Sequence, residues 1–136
     1  MISADVCIKA QFYDLDPMQV VWHGNYPRFL EEARCALLDL IGYNYLEMER
    51  SGFAWPIVDM RLKYVRPVKF AQQVKVTATL LEYETRLRIA YRITNIDTGE
   101  TLTKAETTQF PVSISTGQVS LSSPDPLVDG VRRILP

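Results

Sequence analysis

One histidine, His23, and two widely spaced cysteines, Cys7 and Cys35, argue against a zinc site. Two thiols are also no disulfide framework, and they read as free thiols of a reducing compartment. No stretch reaches the ~18 consecutive apolar residues of a spanning helix. The opening Met1-Ile2-Ser3-Ala4-Asp5 carries an acid and has no apolar signal-peptide core. Net charge is −1, which removes any global attraction to nucleic acid or an anionic membrane surface, so an anionic ligand needs a local basic patch. A glycine-rich phosphate loop, a Gly-x-Ser-x-Gly elbow and a cysteine beside a histidine are all missing. These absences lead us to expect a cytoplasmic protein with no nucleic-acid partner, no membrane span, and no metal or redox cofactor.

What is present is ordinary in amount and specific in arrangement. Hydrophobic residues make up 47% and charged residues 23% of 136, the profile of one globular domain, expected over residues 1–136. The longest helical pattern runs through Pro27–Ile41, with Phe29, Leu30, Ala33, Leu37, Leu38 and Ile41 on one face. Pro27 suits a first helical turn and Gly42 a left-handed C-cap. A first strand is expected over residues 5–12, with Val6, Ile8, Ala10 and Phe12 on one side, and a short helix over 44–50. From Phe53 the period becomes two, with Ala54, Pro56, Val58, Met60, Leu62 and Tyr64 sharing one face and Trp55 on the other. Further strands are expected over Val74–Leu81, over Leu87–Ile93 (with Arg86, Arg88 and Arg92 outward), and over Glu100–Ser115. Turns are expected around Glu82–Thr85 and Asn95–Gly99, then a loop to Pro126 and a short terminal piece. Short connections make the sheet antiparallel, and one helix supplies the second layer of an α+β domain. Five strands and one helix leave apolar surface uncovered, so self-association is expected.

The chemistry concentrates before the helix, in Tyr13-Asp14-Leu15-Asp16-Pro17 and Val20-Val21-Trp22-His23-Gly24-Asn25. Asp16 before Pro17 has two readings: turn chemistry, or a general base or nucleophile beside helix amides able to stabilise an oxyanion. His23 is either a packing residue at the helix start or part of a site. Trp22 and Tyr26 suit core or pocket wall, and Glu31 and Glu32 the helix surface, with Glu31 able to approach the site. The arginines at 86, 88 and 92 form either a solvated sheet face or a seat for phosphates.

The run Asp14-Leu15-Asp16-Pro17-Met18-Gln19-Val20-Val21-Trp22-His23-Gly24-Asn25-Tyr26 resembles the signature of hotdog-fold acyl-CoA thioesterases of the 4-hydroxybenzoyl-CoA type. It is most similar to the branch bearing an Asp and a His, as in the Tol–Pal-associated thioesterases. The likeness continues in Glu32-Ala33-Arg34, Pro56-Ile57-Val58 and Tyr64-Val65-Arg66-Pro67. It implies a hotdog fold, a five-stranded antiparallel sheet wrapped around one long helix. It implies hydrolysis of an acyl thioester of CoA or acyl-carrier protein by a homodimer or homotetramer with its site at a subunit interface. Asp16 matches the family's catalytic carboxylate, and His23 the helix-start position whose N–H polarises the carbonyl. Tyr26 and Arg86 are the residues expected to bind substrate, Arg86 near the CoA moiety. The chain departs from the family at Gln19, where relatives carry glycine, and at Phe70-Ala71-Gln72-Gln73, where they carry a Gly-Asp turn. A side chain at Gln19 is expected to reshape the loop or narrow the acyl pocket. Two other readings share these residues: a hotdog hydratase or dehydratase, and a non-catalytic acyl-binding module.

Overall fold

The computed structural model covers residues 1–136. The helix with the expected apolar face, α1, spans Tyr26–Ile41, and Phe29, Leu30, Ala33, Leu37, Leu38 and Ile41 are all buried along it. Burying the larger of these side chains stabilises the fold by about 1.5–3 kcal/mol each. Pro27 occupies the first turn, and Gly42 caps the C-terminus at φ 84°, its N–H donating to the Leu38 and Asp39 carbonyls.

In chain order the remaining elements are β1 (Ser3–Lys9), α2 (Tyr45–Arg50), β2 (Phe53–Ala54), β3 (Ile57–Tyr64), β4 (Gln73–Glu82), β5 (Leu87–Asn95), β6 (Thr101–Gln109), β7 (Val112–Ser113) and α3 (Asp125–Ile134). Five strands form one antiparallel sheet in the order β1-β4-β5-β6-β3, while β2 and β7 pair as a separate ribbon. The sheet's inner face carries Val74, Val76, Ala78 and Leu80 of β4 and Leu87, Ile89, Tyr91 and Ile93 of β5, all buried. Helix α1 lies chiefly over β1 and β4. This is the α+β hotdog layout. Because the helix sits to one side, the inner face at β6 and β3 is less thoroughly covered. There β6 turns Thr103, Thr107 and Gln109 inward, and β3 leaves Met60 and Leu62 half-buried and Tyr64 exposed.

Several expected details are corrected. The first strand ends at Lys9, and Phe12 opens a 3-10 turn, 83% exposed, rather than continuing the inner face. In β3 the alternation does not run unbroken from Ala54: a register shift between Ile57 and Asp59 changes the phase, so Trp55 is buried and Val58 exposed. The final strand stops at Gln109. The terminal piece is a helix, α3, which adds to the one long helix expected. It buries Leu127, Gly130 and Val131, and a Cβ on Gly130 would come within 2.5 Å of the Ile41 carbonyl oxygen.

Candidate active site

The loop before α1 is held by an acid that the sequence does not single out. Asp14 is 1% exposed; its carboxylate accepts from the Gln11 N–H at 2.8 Å and from Arg28 at 2.5 Å. Its carbonyl accepts from the Trp22 N–H and from Asn25 Nδ2, each at 2.9 Å. Four donors from four positions converge on one residue, folding the loop back against the start of α1. Nothing in the spacing of Asp14, Asn25 and Arg28 announces this, because the contacts exist only once the loop has reversed.

The reversal itself is a tight turn from Asp16 to Gln19. The Gln19 N–H donates to the Asp16 carbonyl at 2.9 Å, and the Asp16 N–H donates to the Val20 carbonyl at 2.9 Å. Gln19 sits at φ 65°, a left-handed conformation that glycine adopts without cost. The half-buried Asp16 accepts the Met18 N–H on Oδ1 at 2.8 Å, and Oδ2 has no hydrogen bond within the chain. Asp16 therefore shapes the turn with one oxygen and keeps the other available. Gln19 is exposed and its left-handed conformation bears on the loop backbone.

His23 begins a 3-10 turn, His23–Asn25, that runs into α1. The His23 and Gly24 N–H groups have no acceptor, so two amides stand free at the positive end of the helix. A Cβ at Gly24 would lie 2.3 Å from the exposed Trp22 ring, so a larger residue there would displace that ring. The His23 ring is exposed and neighbours that of Trp22, centroids 5.2 Å apart, with no hydrogen bond to Asp16. Its carbonyl accepts from the Tyr64 hydroxyl at 2.8 Å, tying the helix start to β3.

Tyr26 is buried, packs edge-on against Tyr64 with centroids 4.9 Å apart, and accepts the Val68 N–H at 3.3 Å. Burial, above all, raises its pKa; Val68 opposes this, and the charges of Tyr64 and Asp16 add to it. The hydroxyl stays protonated within the field of the Asp16 carboxylate. The structure thus gathers Asp16, Tyr26 and the His23 backbone at one end of α1. Arg86 lies elsewhere, just before β5, half-buried, bonded to Glu82 at 3.0 Å and 6.0 Å from the Phe110 ring centre. Burial works against the Glu82 anion, but the hydrogen bonds and charges of Arg86, Thr85 and Arg88 outweigh it and lower the pKa. Arg88 also pairs with Glu106. Lys63, Lys104 and Arg92 stand directly opposite one another on β3, β6 and β5 without an ion pair. No three His, Cys, Asp or Glu side chains are grouped to hold a metal ion.

A cavity of about 720 Å³ opens between α1, α2 and the β2–β7 ribbon. Leu38, Met48, Phe53 and Trp55 give it apolar lining, and Glu31, Arg34 and Gln109 also line it. None of Asp16, His23, Tyr26 or Arg86 lines it. Within one chain Asp16 and this apolar cavity are separate.

Residues 10–131 match the model of the thioesterase-like superfamily. The DHNA-CoA thioesterase of Staphylococcus aureus is 29% identical; the superposition has a TM-score of 0.81 and covers 89% of this chain and 81% of that one. The 1,4-dihydroxy-2-naphthoyl-CoA thioesterase of Synechocystis superposes with a TM-score of 0.86 over 97% of each chain at 17% identity, a likeness of fold. The chloroplastic acyl-acyl carrier protein thioesterase ATL2 of Arabidopsis thaliana is 31% identical over 48% of this chain and 35% of that protein.

Proposed function

The chain belongs to the thioesterase-like superfamily and is a thioesterase; from that premise we propose that Asp16 drives the hydrolysis of an acyl thioester of CoA or acyl-carrier protein. The observation that carries this reading is the pairing of the half-buried Asp16, one oxygen unengaged, with the free His23 and Gly24 amides at the start of α1. Asp16 takes a proton from water as the water oxygen attacks the thioester carbonyl, or it attacks that carbon itself. The two amides and the helix dipole hold the oxyanion. Collapse breaks the carbon–sulfur bond: in the first route the proton held by Asp16 passes to the leaving thiolate, and in the second water hydrolyses the Asp16 acyl anhydride, which frees the acid and Asp16 and supplies the thiol's proton. Tyr26 supports the site as a neutral neighbour of Asp16, and Arg86 is assigned to the substrate's phosphates. The finer kinship, to the 4-hydroxybenzoyl-CoA type with a histidine at the helix start, rests on the Asp16-to-His23 motif. The cytoplasmic location rests on the two free thiols. Residues 1–136 act as one hotdog domain.

The active unit in this reading is a homodimer. The outer edge of β3 is unpaired and presents Ile57, Val58 and Tyr64, all exposed. A free edge of this kind is a template for another strand. Antiparallel pairing about a two-fold axis sets the Tyr64 end of one copy beside the Ile57 end of the other. Tyr64 is tied to His23, and Ile57 follows Trp55 and Pro56 of the cavity wall. The dimer thus brings the catalytic loop of one copy to the cavity of the next, closing the separation seen in one chain.

A panel of acyl-CoAs assayed by thiol release tests the activity. Hydrolysis frees a thiol. A hydratase leaves the thioester intact and changes the acyl chain, and a binding module does neither, so either outcome contradicts the reading.

A further inference from the structure

The carbonyl of His23 is held by a side chain from the edge strand of the sheet. In an α-helix that carbonyl accepts from the N–H four residues on, but the residue there is Pro27, which has none. The Tyr64 hydroxyl donates to it, at 2.8 Å. Tyr64 is the last residue of β3, paired with Thr103, and its ring stands edge-on to that of Tyr26. Tyr26 is 2% exposed and its own hydroxyl accepts the Val68 N–H, so the ring against which Tyr64 rests is fixed. Behind Tyr64 the chain is pinned as well, with the Val65 and Arg66 N–H groups both on the Leu102 carbonyl at 2.9 Å.

The His23 carbonyl and the Gly24 N–H belong to one peptide unit, planar and trans, so the two bonds point in opposite directions. Fixing the oxygen therefore fixes where the Gly24 N–H points. Glycine leaves that unit freer to turn than another residue would, and the hydrogen bond from Tyr64 restrains it. A bond accepted at the oxygen also polarises the unit and makes its N–H a stronger donor. The neighbouring unit, which carries the His23 N–H, is held from within the turn, because the Trp22 carbonyl accepts from the Asn25 N–H at 2.9 Å. Of the two free amides, the one at Gly24 is the one whose peptide oxygen is held by a side chain.

We infer that Tyr64 is a positioning residue for thioester hydrolysis: its hydroxyl aims and strengthens the Gly24 N–H that holds the oxyanion. The inference rests on the thioesterase reading for the reaction, and Tyr64 itself touches no reacting atom. A tie that served the fold alone would lower the melting temperature when cut and leave turnover unchanged.

Tyr64→Phe keeps the ring and removes only the hydroxyl. Thiol release is measured with the acyl-CoA that the parent hydrolyses fastest, alongside melting, light scattering and amide NMR spectra. Removing an oxyanion donor outright costs about 10²–10³-fold in kcat, so loosening one should cost about tenfold. KM should stay within about twofold, because the contact matters in the transition state and not in substrate binding. The Gly24 amide resonance should move more than that of His23, whose peptide unit does not bond Tyr64. A kcat within about twofold of the parent's, a loss carried by KM alone, or a Gly24 resonance that moves no more than that of His23 overturns the inference. Should the variant lose the parent's fold or oligomeric state, Tyr64→3-fluorotyrosine decides. Its hydroxyl is the stronger donor, so the Gly24 resonance should again move more than that of His23, and equal movement overturns the inference. A parent that releases no thiol from any acyl-CoA sinks the thioesterase reading and this inference with it. A parent that does, with an equally fast Tyr64→Phe, sinks this inference alone.

Discussion

Two residues in this chain hold a backbone conformation that their side chains oppose. Gln19 at φ 65° and Ala71 at φ 64° are the non-glycine residues with positive φ, and both fall where the family resemblance leads one to expect glycine. The left-handed region costs an L-residue roughly 1–2 kcal/mol, part of which glycine gives back through greater freedom in the unfolded chain. Gln19→Gly and Ala71→Gly should therefore each stabilise the protein by about 1 kcal/mol, read as a raised urea midpoint with unchanged slope. Asp14 acts in the opposite direction. Asp14→Asn removes a buried charge-assisted bond to Arg28 and should cost about 2 kcal/mol in the same experiment. The two neighbouring acids thus separate by consequence: Asp14 holds the loop, and Asp16 is assigned the chemistry. Sequence reasoning reached Asp16 and His23 through their motif. It passed over Asp14 because its contacts depend on a partner brought near only by folding, Arg28.

Among the elements, the long helix was legible almost to the residue, expected over Pro27–Ile41 and found over Tyr26–Ile41. Its face, its early proline and its C-cap glycine all agree. The strands β4 and β5 were equally plain, since a face buried under a helix imposes strict alternation on both. The terminal helix α3 was not, because Pro124, Pro126 and Gly130 suggest loop until Gly130 is seen against the Ile41 carbonyl. The phase of β3 was hidden for another reason: a register shift is a property of two strands, and one strand's alternation cannot show it. That shift leaves Val58 exposed, on the edge assigned to the proposed dimer. Val58→Lys adds a charge at an already exposed position, so the chain should melt as the parent does. Light scattering should then report monomer in place of dimer, and thiol release should fall with it. A monomeric parent with full activity would contradict the shared site.

At the scale of the whole molecule, helix α1 lies chiefly over β1 and β4, and β3 at the far edge of the sheet is the strand with the most exposed side chains. The loop before α1 is held by Asp14 and by the Asp16–Gln19 turn. Asparagine at position 16 keeps the size and the turn-forming carbonyl of aspartate. The most direct test of the account is kcat for thiol release by Asp16→Asn, taken with thermal melting on the same sample. The expected result is a melting temperature like that of the parent and a kcat lower by about 10²–10⁴-fold. A normally folded Asp16→Asn protein that turns over near the parent rate would show that Asp16 only makes the turn, and that the hydrolytic carboxylate lies elsewhere.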